Sequence, residues 1–215
     1  MKSYVVVGLG RFGISIARRL YELGNEVLAI DTNPEAVQQI SNYVTHAVVG
    51  DARDAEVLRA LGTRNFDCAI VAIGADLSAS ILTTLNFKEL GVPLVVCKAL
   101  DENHQKVLEK IGADRVVVPE REFANKLARS LSSANVLEYI ELSQDYGISE
   151  FKAPSSWYGK NLKQLNVRAK AGINIIAIRQ GGNIQISPSA EYEIQKGDIV
   201  VALGDNKALA TAQES

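Results

Sequence analysis

The sequence contains little of what marks several protein classes. Its 215 residues include two cysteines and two histidines, and no apolar run approaches the roughly eighteen residues that a membrane-spanning helix needs. The net charge of -2 and the pI of about 5.8 provide no basic surface for nucleic acid or for an anionic membrane. A transmembrane protein and a nucleic-acid-binding protein are therefore not expected.

The cysteines and the amino terminus indicate a cytoplasmic protein. Cys68 and Cys97 lie in apolar, strand-like runs, as buried thiols of a reducing compartment do. Residues 1–3 lead directly into a strand pattern, so a signal peptide is not expected. With 47% hydrophobic and 22% charged residues, the chain has the composition of one large or two small globular domains.

A glycine-rich loop between a strand and a helix is the most informative segment. Residues 4–7 are apolar, Gly8, Gly10 and Gly13 follow at GxGxxG spacing, and a second strand ends on Asp31. In a dinucleotide-binding fold the first glycine allows a tight turn, the second lets a pyrophosphate approach the backbone, and the third lets the helix pack on the strand. The helix amino terminus attracts the phosphates, and the carboxylate accepts hydrogen bonds from a ribose.

Residues 1–119 alternate between strand and helix patterns. This alternation predicts an α/β domain with a Rossmann-like, doubly wound parallel sheet of six strands and right-handed crossovers. The predicted strands are 4–7, 27–30, 47–49, 68–73, 94–97 and 116–119.

The remainder of the chain changes rhythm twice. Residues 120–134 are predicted to form a crossover helix, whose apolar stripe of Phe123, Leu127 and Leu131 packs either on its own sheet or on a partner subunit. Residues 135–215 are predicted to form a second, smaller α+β domain. Its predicted strands are 136–142, 148–153, 173–178, 184–186 and 199–204, with a hairpin turn at 180–183.

Motifs in both halves resemble one known family. The amino-terminal VVVGLGRFG with Asp31, then Gly50-Asp51, then Ala72-Ile73-Gly74, looks like the RCK (KTN) domain of bacterial K⁺ transport regulators. The carboxyl-terminal INIIAIRQGG and ISPSAEYEIQKGDIVVALG resemble its companion module, called RCK-C or TrkA-C. One copy of each module is typical of the Ktr-type regulatory subunit.

The resemblance implies a cytoplasmic regulator that binds ATP, ADP or NAD(H). Dimers of such regulators are assembled into an octameric ring, which gates a membrane K⁺ channel subunit. The ring lies on the inner face of the membrane through that partner, and no nucleic acid is involved.

The resemblance also assigns roles to residues of the first domain. The glycine loop would hold the phosphates, and Asp31 would bind the ribose. The segment after the third strand would contact the adenine, and the segment after the fourth strand would lie beside the ligand-binding cleft. Arg11 would reach the terminal phosphate, including that of a neighbouring subunit, through its planar and always charged guanidinium; a solvated surface arginine is the alternative. The candidate nucleotide-binding residues are Gly8, Gly10, Arg11, Phe12, Gly13, Asp31, Thr32, Asn33, Asp51, Ala52, Ala72, Ile73, Gly74, Lys98 and Glu120.

Two of these residues have open alternatives. Lys98 ends the fifth strand and either meets phosphate or is a surface lysine. Glu120 stands where the family binds a divalent cation (Mg²⁺ or Ca²⁺) or Na⁺ at a dimer interface. A single carboxylate is too few ligands for such an ion, so a two-fold-related copy and phosphate oxygens must contribute. A favourable position at a helix amino terminus is the alternative for Glu120.

A second ligand, cyclic di-AMP, is implied for a groove between two carboxyl-terminal modules. There, apolar side chains would hold the bases and an arginine would pair with phosphate. The alternating isoleucines of an ordinary sheet core are the alternative. The candidate residues are Asn174, Ile175, Ile176, Ile178, Arg179, Ile186 and Pro188.

An NAD-dependent oxidoreductase with a small substrate domain is the alternative to a regulator. Such an enzyme needs a proton donor or a nucleophile near the nicotinamide. His46 and His104 lie outside any motif and are expected at the surface, and the sequence has no zinc-ligand spacing. A regulator needs only a ligand that binds two conformations unequally. The residues favour the regulator, and no catalytic residue is assigned.

Overall fold

A computed structural model describes residues 1–132 and 136–214 of the chain, in two units that divide after Glu120. The first unit contains six parallel strands. They are β1 (Ser3–Val7), β2 (Glu26–Asp31), β3 (His46–Val49), β4 (Cys68–Val71), β5 (Val95–Lys98) and β6 (Arg115–Val117). Their order in the sheet is β3-β2-β1-β4-β5-β6. The order reverses between β1 and β4, which is where open α/β sheets bind ligands.

Five helices connect these strands and cover both faces of the sheet. They are α1 (Arg11–Glu22), α2 (Pro34–Ile40), α3 (Ala55–Ala60), α4 (Leu77–Glu89) and α5 (Glu102–Lys110). Successive strand residues point to opposite faces, so Val5 and Val7 pack on one side with Phe87, while Val6 packs on the other side with Ala17. The doubly wound fold is confirmed. The apolar cores on the two faces of the sheet hold the strands, and therefore the strand ends, in place.

The second unit is built on an antiparallel sheet with the order β10-β9-β11-β8-β7, as expected of a smaller α+β module. Its strands are β7 (Val136–Glu141), β8 (Tyr146–Lys152), β9 (Asn174–Gln180), β10 (Asn183–Ile186) and β11 (Ile199–Asp205). Its helices are α6 (Pro119–Ser132), which crosses the division between the units, α7 (Leu162–Leu165), α8 (Val167–Ala171) and α9 (Asn206–Glu214). Neither described range contains a helix long and apolar enough to cross a membrane.

Helix α9 is absent from the sequence prediction, and it follows β11 without a loop. Leu209 and Ala212 of this helix are buried in a core with Phe151, Ile178 and Val200. The predicted crossover helix corresponds to α6, but residues 133 and 134 lie outside the described residues. The predicted start of the second domain, residue 135, lies outside them as well.

The position of His104 corrects a prediction. The residue was expected at the surface, but its side chain on α5 is only 3% exposed. Its Nδ1 accepts a hydrogen bond from the backbone N–H of Leu100 at 3.3 Å. Burial lowers the pKa of this imidazole, because desolvation penalises the charged form. His104 therefore belongs to the interior of the first unit, whereas His46 is exposed as expected.

Candidate nucleotide-binding site

A cavity of about 340 Å³ lies at the carboxyl ends of the parallel strands, where the strand order reverses. The loops after β1, β2, β3 and β4 form it together with α4. Nine predicted residues line it: Gly8, Gly10, Asp31, Thr32, Asp51, Ala52, Ala72, Ile73 and Gly74. The lining also includes seven residues that are not among the candidate binding residues: Val7, Gly50, Arg53, Ala75, Asp76, Ala79 and Thr83. The predicted residues outside the lining are Arg11, Phe12, Gly13, Asn33, Lys98 and Glu120.

Two glycines of the loop after β1 are needed for different reasons. A Cβ atom at Gly13 would lie 1.8 Å from the carbonyl oxygen of Gly8, so the close approach of α1 to the loop excludes any side chain there. A Cβ atom at Gly10 would meet no atom of the described residues within 4 Å. The φ of -72° at Gly10 is open to any amino acid. The fold therefore requires Gly13 but not Gly10, and Gly10 is one of the residues that line the cavity.

Helix α1 differs from the other helices of the first unit at its amino terminus. Asn33, Asp54, Asp76 and Asp101 each cap a following helix by accepting a backbone N–H with the side chain. At the start of α1, Gly10 occupies the capping position and provides no side-chain hydrogen bond. The first N–H groups of a helix otherwise lack partners, so α1 presents donors and the positive end of its dipole to an anion.

The carboxylate of Asp31 joins the end of β2 to the glycine loop. Its Oδ2 accepts the backbone N–H of Leu9 at 2.5 Å, and its Oδ1 accepts the backbone N–H of Asn33 at 2.8 Å. These two bonds fix the orientation of the carboxylate at the cavity. Each oxygen keeps a lone pair, so the group can still accept hydrogen bonds from the two hydroxyls of a ribose.

The loop after β3 is held in place by two polar side chains. Arg53 donates from Nε and Nη2 to the carboxylate of Asp51, the shortest of these bonds being 2.6 Å, and they lower the pKa of Asp51. From α4, Nδ2 of Asn86 donates to the carbonyl oxygens of Ala52 and Arg53 at 3.0 and 2.9 Å. Sequence reasoning missed Asn86, although an asparagine inside a helix is unfavourable and can signal such a role.

Lys98, Phe12 and Glu120 form a cluster outside the lining. Nζ of Lys98 lies 2.6 Å from Oε1 of Glu120 and 5.8 Å from the centre of the Phe12 ring. Lys98 is only 12% exposed, so it is not the solvated surface lysine of the alternative prediction. The hydrogen bond from Lys98 lowers the pKa of Glu120, and the positive charge of Arg11 contributes in the same direction.

These contacts do not suit a cation bound by one chain. The Glu120 carboxylate is already paired with an ammonium group. Within the described ranges, no group of three or more histidine, cysteine, aspartate or glutamate side chains is placed to hold a metal ion. Hard cations take six or more oxygen ligands, so Glu120 alone does not provide a cation site.

The residues predicted to bind cyclic di-AMP are divided between core and surface. Ile178 is 1% exposed and belongs to the core of the second unit. Ile186 is 73% exposed and pairs across the β9–β10 ladder with Ala177. Arg179 forms an ion pair with Glu150 of β8. Asn174 is exposed, and the remaining predicted residues, Ile175, Ile176 and Pro188, are partly exposed. The core alternative therefore applies to Ile178 but not to Ile186.

Two domain families match the chain. The TrkA-N domain matches residues 4–119 and the TrkA-C domain matches residues 148–215. The Ktr system potassium uptake protein A of Bacillus subtilis (strain 168) is 48% identical over 206 residues, which are 96% of this chain and 93% of that protein. The chain belongs to the Ktr family of potassium uptake proteins. Membership of this family decides against the oxidoreductase alternative, although the Ktr chain shares the Rossmann-like sheet of such enzymes.

Solved structures share the fold of the Ktr chain. The RCK domain of GsuK has a TM-score of 0.68 at 20% identity and covers 99% of this chain. The GsuK channel bound to NAD has a TM-score of 0.56 at 25% identity and covers 100% of it. The Ktr chain spans 47% and 38% of those two chains, respectively. The RCK architecture that the two sequence motifs predict is therefore confirmed.

Proposed function

We propose that this Ktr-family protein is a regulatory subunit that senses nucleotides and gates a membrane K⁺ channel subunit. ATP and ADP compete for the cavity of the first unit, and NAD(H) is a further ligand. The observation that carries the proposal is the presence of a glycine at position 10. Neither its backbone conformation nor its surroundings among the described residues require a glycine, whereas a pyrophosphate approaching the backbone does.

The lining of the cavity suits each part of an adenine nucleotide. The uncapped amino terminus of α1 offers N–H donors to the phosphates. Asp31 accepts hydrogen bonds from the ribose. The loop of Asp51, Ala52 and Arg53, which lines the cavity, contacts the adenine base. The GsuK channel, 25% identical to this chain, has been solved bound to NAD, which supports a pyrophosphate ligand for this fold.

The proposal places the protein in the cytoplasm, on the inner face of the membrane, where its K⁺ channel partner holds it. In this arrangement dimers assemble into an octameric ring. Helix α6 supports such contacts, because Phe123, Leu127 and Leu131 are 66%, 45% and 76% exposed along it. Large apolar side chains grouped in this way are typical of protein interfaces.

Nucleotide binding is tested by Asp31→Ala. Loss of the carboxylate removes a charged hydrogen-bond partner of the ribose, which costs roughly 1.5–3 kcal/mol of binding free energy, or about 10- to 150-fold in the dissociation constants of ADP and ATP. Titration calorimetry on the folded variant measures this change. In the wild type, NADPH should bind more weakly than NADH, since its 2′-phosphate would face Asp31.

A matched control is Asp67→Ala. The Asp67 carboxylate also joins two strands, accepting the backbone N–H of Ser3 at 2.8 Å, but it lies at the opposite ends of the strands from the cavity. Its loss should leave both dissociation constants unchanged. Equal ADP and ATP affinities in wild type and folded Asp31→Ala would remove Asp31 from the site.

The subunit contact is tested by Phe123→Glu combined with Leu127→Glu. Two charges on the apolar stripe of α6 should lower the oligomeric mass measured by light scattering. The carboxylates repel those of a second copy and remain hydrated, so the stripe is no longer buried between subunits. Asn125→Glu, which adds a charge on the opposite side of the same helix, should leave the mass unchanged. A wild-type monomer at micromolar concentration contradicts this part of the proposal.

Cyclic di-AMP is a second proposed ligand, for the second unit. Ile184 lies opposite Arg179 in the β9–β10 ladder, so both side chains are on one face with Ile186. The two isoleucines are 59% and 73% exposed. An apolar surface beside a guanidinium suits a base and a phosphate, and a second copy of the unit would complete the groove.

A further inference from the structure

One stripe of helix α4 faces the loop after β3. Ala79 and Thr83 line the cavity, and Asn86 binds the carbonyl oxygens of Ala52 and Arg53. Residues at i, i+4 and i+7 share one face of a helix, so all three point in the same direction. Thr83 is three residues, or about 4.5 Å along the axis, from Asn86. Thr83 therefore lies beside the loop of Asp51, where the base of the proposed nucleotide belongs.

The hydroxyl of Thr83 is buried, and nothing in residues 1–132 or 136–214 pairs with it. The residue is 0% exposed, and its Oγ1 has no hydrogen-bond partner in the described part of the chain. Threonine in a helix ordinarily bonds to the carbonyl one turn back. Thr84 does so: its Oγ1 donates to the carbonyl oxygen of Ser80 at 2.8 Å and lies 3.2 Å from Sγ of Cys97. Two adjacent threonines, equally buried, thus differ in whether the protein itself satisfies the hydroxyl.

Thr83 lines the cavity, whereas Thr84 does not. A buried hydroxyl without a partner has lost its hydrogen bonds to water and is destabilising, so such groups need a reason. The hydroxyl of Ser80 also has no hydrogen-bond partner among the described residues, but Ser80 is not part of the cavity lining. Thr83 is, and a hydroxyl both donates and accepts. It can therefore pair with a ring nitrogen or an exocyclic amine at the edge of a purine.

We propose that Thr83 is a specificity-determining residue that binds the edge of the nucleobase, with Asn86 as a positioning residue for the loop on the other side of the base. This inference rests on the proposed nucleotide site. It assigns to α4 a role in base selection in addition to the phosphate and ribose contacts of the loops after β1 and β2.

The test is Thr83→Val, which removes the hydroxyl and keeps the branched shape. Because a buried hydroxyl without a partner is destabilising, the ligand-free variant should unfold at the same temperature as the wild type or at a higher one. Its ADP and ATP dissociation constants should rise by the same factor, about three- to tenfold for one neutral hydrogen bond. The preference for ADP over UDP, whose smaller base does not reach α4, should fall by a similar factor.

Thr84→Val is the matched control, with the same change one residue along the same helix. It removes a satisfied hydroxyl, so it should lower the unfolding temperature and leave ADP affinity unchanged. Equal ADP affinity in Thr83→Val and wild type overturns the inference, and so does an equal loss in both valine variants. If Thr83→Val fails to fold, Thr83→Ser must retain ADP affinity and Thr83→Ala must lose it. Failure of the wild type to bind ADP instead rejects the proposed function itself.

Discussion

Gly13→Ala should destabilise the first unit strongly, whereas Gly10→Ala should leave it folded and unable to bind nucleotide. At Gly13 the new methyl group would lie 1.8 Å from the carbonyl oxygen of Gly8, so α1 must move away from the loop. Overpacking typically costs about 1–3 kcal/mol, and a clash with a backbone atom places Gly13→Ala at the upper end of that range. At Gly10 the methyl group meets no described protein atom within 4 Å, and it would occupy the space that we assign to the pyrophosphate.

The stability of Gly10→Ala should lie within about 1 kcal/mol of the wild type. Alanine restricts the unfolded chain, which stabilises by about 0.4–1 kcal/mol, but it is a poorer residue than glycine at a helix amino terminus. The two effects largely offset each other. Chemical denaturation and calorimetry with ADP measure both properties. Wild-type ADP affinity in Gly10→Ala contradicts the site, whereas wild-type stability in Gly13→Ala contradicts the packing.

The sequence is sufficient to predict the glycine loop because its defining contacts are local. The turn, the helix start and Asp31, whose carboxylate binds the backbone N–H of Leu9, all lie within the first 31 residues, and apolar runs identify the buried strands. Element ends are less accurate. The sixth strand was predicted at 116–119 but ends at Val117, because Pro119 begins α6, as proline commonly does at a first helical position.

Other contacts at the cavity and beside it could not be predicted in the same way, because they join distant segments of the chain. Asn86 binds a loop 33 and 34 residues earlier in the chain, and Lys98 pairs with Glu120, 22 residues later. His104 resembles a surface residue in a polar helix until the tertiary structure buries it. No periodicity in a single sequence reports such neighbours.

In the proposed regulator, the distinction between ATP and ADP depends on Arg11. The two ligands differ by one phosphoryl group. A regulatory ring needs two conformations, and a ligand that binds both with equal affinity does not change their populations. Arg11 begins α1, beside the position that we assign to the phosphates. Its side chain is exposed and outside the cavity lining, and its positive charge helps to lower the pKa of Glu120. A bidentate contact to the γ-phosphate in a neighbouring subunit would couple nucleotide occupancy to ring geometry.

Arg11→Ala should therefore retain ADP binding and weaken ATP binding by roughly 1.5–3 kcal/mol, the value of a hydrogen bond to a charged group. In vesicles that contain the K⁺ channel subunit, ATP should no longer raise K⁺ flux above the ADP level. Arg19→Ala is the matched control, because Arg19 lies on the same helix and pairs with Glu22 in solvent. If Arg11→Ala keeps the full ATP-over-ADP difference in flux, another residue reads the γ-phosphate and this mechanism is wrong, although the cavity still binds nucleotide.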